Sequence, residues 1–318
     1  MNNETSSNSN MDSQILLNQL ILDYMKDQRR KRRWRRVIQL LVLGLLLYTG
    51  FKLFFFPDTE LSINSKPHVG LIDISGEIGS NKEANADDLT QGMGRAYKNS
   101  NLKALILRIN SPGGSPVQAE YIYSAIQYFR KKHPEIKVYA VCTDLCTSAA
   151  YYIAAAADEI YASPASLVGS IGVLYNGFGF VDLLNKIGVT RRLQTSGDYK
   201  GFLDPFSPST DFQQQKLQVI LNIIHQRFIN RVKEGRGDRL HVTAETFSGL
   251  FWSGEQAVEM GLIDGLASSG QLAREKMHLD ELVDYTYKQN FWDKMSRNIG
   301  TSLANELPAS LGIKPGLS

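Results

Sequence analysis

Cysteine is nearly absent from this chain. Cys142 and Cys146 are the only two in 318 residues, too few for the disulfide framework of a small secreted scaffold. Their spacing argues against a bridge, because four extended residues would hold the sulfurs too far apart, so buried free thiols are expected. Histidine is equally sparse: His68, His133, His225, His241 and His278 are scattered, none beside a cysteine in sequence. No metal-ligand spacing results, and no cofactor is expected. No internal repeat of solenoid or propeller period is present. The chain also lacks the Gly-Lys-Ser/Thr element of a phosphate loop. Beyond residue 57 there is no basic stripe with interleaved aromatics, so a nucleic-acid partner is not expected.

Long apolar runs are absent too, with one exception. Val37–Phe56 is interrupted only by Gln39 and Lys52 and is about long enough to cross a hydrocarbon core as one helix. Lys52 lies near one end, where it can snorkel. Trp34 and Phe54–Phe56 mark the two boundaries, and Pro57 ends the run. Ahead of it stand Arg29, Arg30, Lys31, Arg32, Arg33, Arg35 and Arg36. The positive-inside rule therefore puts the N-terminus in the cytoplasm and the remainder outside it, periplasmic if the membrane is a bacterial inner membrane. A cleaved signal peptide fits less well, since 36 residues precede the run and no small-residue cleavage site follows. A buried core helix would show a polar face.

Charge follows the same division. Residues 1–36 hold eight basic and four acidic side chains, Lys52 adds one, and the rest holds 26 basic against 28 acidic, giving the overall +3. The basic character is a topology signal. The expected organisation is a polar tail over 1–36 (with a short helix near Met11–Lys26), an anchor over 37–56, a linker over 57–65, a folded domain over 66–290 and a C-terminal tail over 291–318.

Within that domain strands and helices alternate. Strands are expected at His68–Ile74, Lys103–Ile109, Lys137–Cys142, Glu159–Tyr161, Leu167–Val173 and Thr190–Gln194. Helices are expected at Asp87–Lys98, Ser115–Lys132, Ser148–Ala157, Phe212–Lys233 and Glu255–Met260. The alternation predicts an α/β fold with largely parallel pairing.

Three segments follow strand ends, where α/β folds gather their ligand sites. The run Ala104–Ile109 stops at Pro112-Gly113-Gly114, and Ser115, Pro116 and Gln118 then carry a helix-start signal. Adjacent glycines beside a helix N-terminus accommodate negative charge, either a phosphate or an oxyanion formed during a reaction. Thr147-Ser148-Ala149-Ala150-Tyr151-Tyr152 opens a helix directly after a strand. Thr195-Ser196-Gly197-Asp198-Tyr199-Lys200-Gly201 is a polar loop with one lysine. Each has an ordinary reading: a helix cap at Ser148, a solvated charge at Lys200, and turn punctuation at Gly113-Gly114. Asp144 and Asp198 read as loop or capping residues.

Taken in order, Ile109-Asn110-Ser111-Pro112-Gly113-Gly114, Ser148-Ala149-Ala150-Tyr151-Tyr152, Val168-Gly169-Ser170-Ile171-Gly172-Val173 and Ser196-Gly197-Asp198-Tyr199-Lys200 resemble the signal peptide peptidase A (protease IV) family. The likeness covers roughly residues 66–290 and its short, membrane-anchored, single-domain members. It implies the spiral α/β fold shared by Clp protease and the crotonases, preceded here by one transmembrane helix. It implies a serine endopeptidase acting on released signal peptides or other apolar, membrane-proximal peptides. Ser148 would be the nucleophile and Lys200 the general base, with Ser170 orienting the lysine. Gly113, Gly114 and Ala149 would form the oxyanion hole. A ring-shaped homo-oligomer, with the dyad completed between neighbouring copies, is also implied. A lysine base works only when neutral, so its pKa must fall from about 10.4 to roughly 7–8, which burial among apolar groups supplies.

The sequence departs from the family at Ala149-Ala150, where glycines are usual. Alanine keeps the N–H, but would strain the turn if positive φ were needed there. A scaffold that holds peptides without cleaving them is therefore the competing reading. A crotonase-type acyl-CoA enzyme is a third, disfavoured by the anchor.

Overall fold

In a computed structural model, the structure describes residues 30–51 and 66–288. The first unit contains one described helix, α1 (Arg30–Phe51), long and apolar enough to cross a membrane by length and composition. Its described part includes Arg30–Arg36, ahead of the apolar stretch that suggests it. The far boundary at Phe54–Phe56, the Met11–Lys26 helix, the 57–65 linker and the 291–318 tail lie outside the described residues.

The second unit is built on parallel strands. β1 (His68–Ser75), β2 (Leu102–Ser111) and β3 (Lys137–Thr147) form the centre. They are β-branched, apolar runs buried on both faces, as a sheet covered by helices requires. The strand order is β6-β5-β3-β2-β1-β8, with β4 (Glu159–Ala162) also on β3 and β7 (Gly265–Leu266) on β4. β5 is Leu167–Gly169, β6 Phe251–Ser253 and β8 Leu282–Asp284. All pairs are parallel except β5–β6.

The fork in β3 positions the site. Tyr139–Cys142 pairs with β4, whereas Leu145–Thr147 pairs with β5. Between the two halves the register against β2 slips, from Ile109↔Cys142 to Ser111↔Cys146. Thr143, Asp144 and Leu145 bulge outward, which draws the Cys142 and Cys146 Cα atoms to 5.4 Å and lets the two form a disulfide. The expectation of free thiols is thereby corrected: it assumes an extended segment, and the strand is bulged there.

The helices α2 (Ala86–Tyr97), α3 (Pro116–Lys132), α4 (Ala149–Ala154), α5 (Val181–Lys186), α6 (Asp211–Arg236) and α7 (Gly254–Glu259) follow the expected pattern, apart from α5, which the sequence pattern does not announce. Ser115 caps α3 through Gln118 N–H, and Thr210 and Gln213 form a reciprocal capping box on α6. The strand expected at Thr190–Gln194 is absent. Those residues are exposed and irregular, because Leu193 is the only apolar side chain among them and the segment has no face to bury against a sheet. The Leu167–Val173 run is a strand only to Gly169, ended by the left-handed Ser170 (φ 52°).

Two polar clusters tie α6 to the rest of the unit. Arg236, with its side chain 1% exposed, pairs with Asp264 at 2.6 Å and donates from Nε to the Gly261 carbonyl. Asp264 also accepts from Ile160 N–H and Arg239. Arg236→Ala strips this half-buried carboxylate of its main partner and is expected to cost about 3–5 kcal/mol. Thermal unfolding would read this as a Tm lower by roughly 10 °C or more.

In the second cluster, Glu120 accepts from Arg227 at 2.8 Å, Arg231 at 2.6 Å and the Tyr152 hydroxyl. Burial pushes its carboxyl upward, but these donors outweigh burial and hold it at about 2. A depressed carboxylate stabilises the fold above its unfolded pKa of about 4.3 and loses that contribution as pH falls toward the folded value. Glu120→Gln should therefore lower Tm at neutral pH and flatten the loss of Tm between about pH 4.5 and 2. Calorimetry across that range checks it, and parallel curves for the two proteins would refute it.

Candidate active site

Three strand ends converge. Gly113 and Gly114 follow β2, Ser148 and Ala149 follow β3, and Gly169 and Ser170 end β5. Ser148 stands between β3 and α4 at φ 56°, ψ −125°, and its side chain makes no cap hydrogen bond. The capping reading of Ser148 thus fails. A non-glycine residue in this region costs about 1–3 kcal/mol and persists only where its surroundings impose it. Here Ser148 N–H donates to Gly169 O at 2.8 Å, and Tyr152 N–H to Ser148 O at 3.0 Å. Behind it α4 is buried throughout, and Tyr151 Oη donates to Leu262 O at 2.7 Å. The hydroxyl of a half-buried residue is left free of the helix it precedes.

The glycine corner abuts that turn. A Cβ on Gly113 would lie 2.7 Å from Ser148 Cβ and 3.0 Å from Ala149 N. Gly113 and Gly114 adopt φ 104° and 145°, and a Cβ on Gly114 would fall 2.2 Å from Ile78 O. Both positions therefore require glycine. Ile78 clamps the corner, donating to Gly113 O and accepting from Ser115 N–H. Gly113 N–H is already spent on Ser111 Oγ at 3.1 Å, whereas neither Gly114 nor Ala149 N–H donates to a backbone carbonyl outside regular structure. Of the three N–H groups expected at an oxyanion hole, that of Gly113 is thus engaged, whereas those of Gly114 and Ala149 are not spent on such a carbonyl. Among the described residues the only non-glycine positive φ values are at Ser148, Ser170, Leu203 and His278. Ala149 and Ala150 need no glycine, which removes the geometric objection to them.

Ser170 follows Gly169, the residue paired with Thr147 at the end of the β3–β5 ladder, and its N–H donates to Leu250 O at 2.7 Å. Its neighbour Ile171 offers its carbonyl to His225 Nε2 of α6 at 3.0 Å. Trp252 packs its ring against Gly169, where a Cβ would meet it at 2.8 Å. Lys200 stands apart. It is exposed in a turn where its N–H donates to Gly197 O at 3.1 Å, and no described contact joins it to Ser148. Asp198 is exposed, and Asp144 accepts from Asn110 Nδ2 at 2.8 Å, a loop tie as expected. No group of three or more His, Cys, Asp or Glu among the described residues is arranged to hold a metal.

Sequence reasoning assigns no role to Ser111, Asn110, His225 or Trp252. Asn110 and Ser111 sit inside a quoted motif, but their bonds to Leu145, Asp144 and Gly113 depend on the bulge. His225 and Trp252 carry no local signal at all.

The model for peptidase family S49 matches residues 130–284, and that for Clp protease matches residues 70–168. The chain is 44% identical over 181 residues to a protein of Brucella abortus named Na(+)/H(+) antiporter NhaA, covering 57% of this chain and 24% of that protein. The chain thus spans about a quarter of the length of the first curated relatives it matches. It is 32% identical over 191 residues to a candidate protease of Synechocystis, covering 57% of this chain and 68% of the other. Against a candidate signal peptide peptidase SppA of Enterococcus faecium the identity is 29% over 251 residues, 77% of this chain and 71% of the other. Among solved structures, a membrane-bound stomatin-specific protease, 1510-N, in complex with a substrate peptide, aligns at 18% identity and a TM-score of 0.46, over 74% of this chain and 99% of that one. With its Clp-type α/β sheet and the matched S49 segment running from α3 to β8, the chain belongs to peptidase family S49.

Proposed function

We propose that this chain is a membrane-anchored serine endopeptidase in which Ser148 attacks the peptide carbonyl and Lys200 of a neighbouring copy takes its proton. The tetrahedral oxyanion is held by the N–H groups of Gly114 and Ala149, and Ser170 orients the lysine amine. The protonated lysine then gives its proton to the leaving amine, and water resolves the acyl-enzyme. The observation that carries this reading is the close approach of Gly113 to the strained Ser148, whose side chain makes no cap hydrogen bond, and to Ala149 N.

The lysine's position favours completion between copies. The segment bearing it exposes Leu174 (80%), Phe178 (73%), Leu183, Ile187, Val189, Leu193 and Tyr199, a concentration of exposed apolar side chains of the kind that marks an interaction surface. A second copy laid on this segment would bury those side chains and strip water from the Lys200 amine. The basic residues within Arg30–Arg36 at the N-terminal end of α1 support a cytoplasmic N-terminus and an extracytoplasmic catalytic unit. Substrates there would be apolar peptides arriving along the bilayer, such as released signal peptides.

Subunit mixing tests this. Ser148→Ala and Lys200→Ala chains, each inactive alone on an apolar reporter peptide, should regain a substantial part of wild-type activity when co-assembled. A mixture as inactive as its parts would contradict the shared dyad.

A further inference from the structure

At the fork of β3 lies a second feature that this catalytic reading does not use. A cavity of about 460 Å³ opens between the ends of β3, β4 and β7, lined by Val141, Cys142, Thr143, Ser163, Ala165 and Ser268 among others. None of Gly113, Gly114, Ser148, Ser170 or Lys200 lines it. Cys142 lines its wall, and both cysteines are otherwise buried, Cys146 at 0% exposure and Cys142 at 1%. We propose that this disulfide is a thiol-exchange site, entered from the cavity by a low-molecular-weight thiol, and that its state sets the geometry of the nucleophile turn.

The exchange balances without further reagents. A thiolate RS⁻ attacks Cys142 Sγ, the Sγ–Sγ bond breaks, and Cys146 leaves as a thiolate that takes the proton RSH gave up. A second RSH attacks the mixed disulfide, releasing RSSR and leaving both cysteines reduced. Two electrons pass from two thiols to the protein, and oxidation of the dithiol reverses the step. The hydroxyl-rich lining suits a small polar thiol better than a protein partner.

The coupling follows from where the bridge lies. Cys142 and Cys146 bracket the bulge, and Ser148 is two residues further on. Cys146 stands opposite Ser111, whose Oγ holds Gly113 N–H, and Cys142 stands opposite Ile109. Asn110 spans the gap, accepting from Leu145 N–H at 3.2 Å and donating to Asp144. Ser166 binds the Thr143 carbonyl from the cavity side. The disulfide therefore closes the small ring on which both halves of the oxyanion hole are mounted. Opening that ring leaves the bulge held by side-chain hydrogen bonds alone, and small displacements of a reacting group reduce rate steeply.

The exchange claim stands on the cavity and the bridge, and the coupling claim rests on the proposed Ser148 mechanism. The test uses the full-length chain in detergent micelles, titrated with reduced glutathione or dithiothreitol. Free thiols are counted by alkylation and intact mass, activity is followed on an apolar peptide, and amide hydrogen exchange is followed over residues 145–150. Two thiols should appear without denaturant, at least about fivefold more slowly in Ala165→Trp, which plugs the cavity mouth and leaves basal activity unchanged. As they appear, kcat should fall about tenfold with KM steady, amide exchange over 145–150 should rise, and reoxidation should restore both. The Cys142→Ser/Cys146→Ser double variant should stay at the low rate whatever the thiol concentration. Thiols that form only on unfolding, or equally fast in Ala165→Trp, would overturn the exchange site. Reduction with kcat and amide exchange unchanged would overturn the coupling. If neither redox state cleaves peptide or reacts with a fluorophosphonate, the peptidase reading fails, while the thiol count and amide exchange still decide this one.

Discussion

Replacing Ser148 with alanine is expected to lower peptide cleavage by at least about 10³-fold, leaving only what the oxyanion donors and binding supply. The substitution is a clean one here. Alanine at φ 56° carries the same backbone strain as serine, and the Ser148 side chain makes no cap bond to lose. Stability should barely change, so the lost activity belongs to the oxygen. Ser148→Gly separates the two roles further. Glycine tolerates the left-handed conformation, so this variant should be equally inactive yet gain up to about 1–3 kcal/mol of stability. Thermal unfolding beside the activity assay reads both. A Ser148→Gly protein no more stable than Ser148→Ala would mean that the turn is not strained in solution.

The second large effect is expected at Gly114. Its Cβ would sit 2.2 Å from the Ile78 carbonyl oxygen, a backbone atom that cannot swing aside as a side chain end can. At φ 145° the position is closed to alanine on conformational grounds as well. Gly114→Ala must therefore move the corner, and with it one of the two N–H donors proposed for the oxyanion. Loss of one oxyanion donor typically costs about 10²–10³ in kcat, and kcat should fall by at least that while KM changes little. Gly76 is the control: it too has positive φ, at 78°, but a Cβ there meets nothing within 4 Å. Gly76→Ala should leave kcat within about twofold and cost only local strain. Equal losses in the two variants would show that the corner acts on stability and not on the oxyanion.

Much of the fold is legible in the amino-acid sequence. The apolar runs at Lys103–Ile109 and Lys137–Cys142 read as buried strands because burial on both faces of a parallel sheet demands continuous β-branched and aliphatic sequence. Ser115-Pro116 and Thr210 mark helix starts through local chemistry that needs no tertiary context. Pro112-Gly113-Gly114 reads as an anion-accommodating corner for the same reason.

What escapes the sequence is non-local. The bulge at Thr143–Leu145 has no glycine or proline to announce it, since it is imposed by β3 leaving β4 for β5. The expectation of free thiols fails with it. Thr190–Gln194 is expected as a strand, but it holds a single apolar side chain, Leu193, too little to fix a buried face or a register. Gly113 and Gly114 look alike in sequence. Only the buried Ser111 hydroxyl separates the one whose N–H it engages from the one whose N–H it does not. Ser148 reads equally well as a cap, and only its backbone angles and the missing cap bond distinguish it from one.

The central claim is that Ser148 is a nucleophile activated by Lys200, and covalent labelling tests it most directly. The assembled protein, in detergent or bilayer, is treated with a fluorophosphonate and the adduct is located by peptide mass spectrometry. The account predicts one adduct, on Ser148, absent in Ser148→Ala and strongly slowed in Lys200→Ala. An adduct on another serine, no adduct on the active assembly, or undiminished labelling in Lys200→Ala would contradict it.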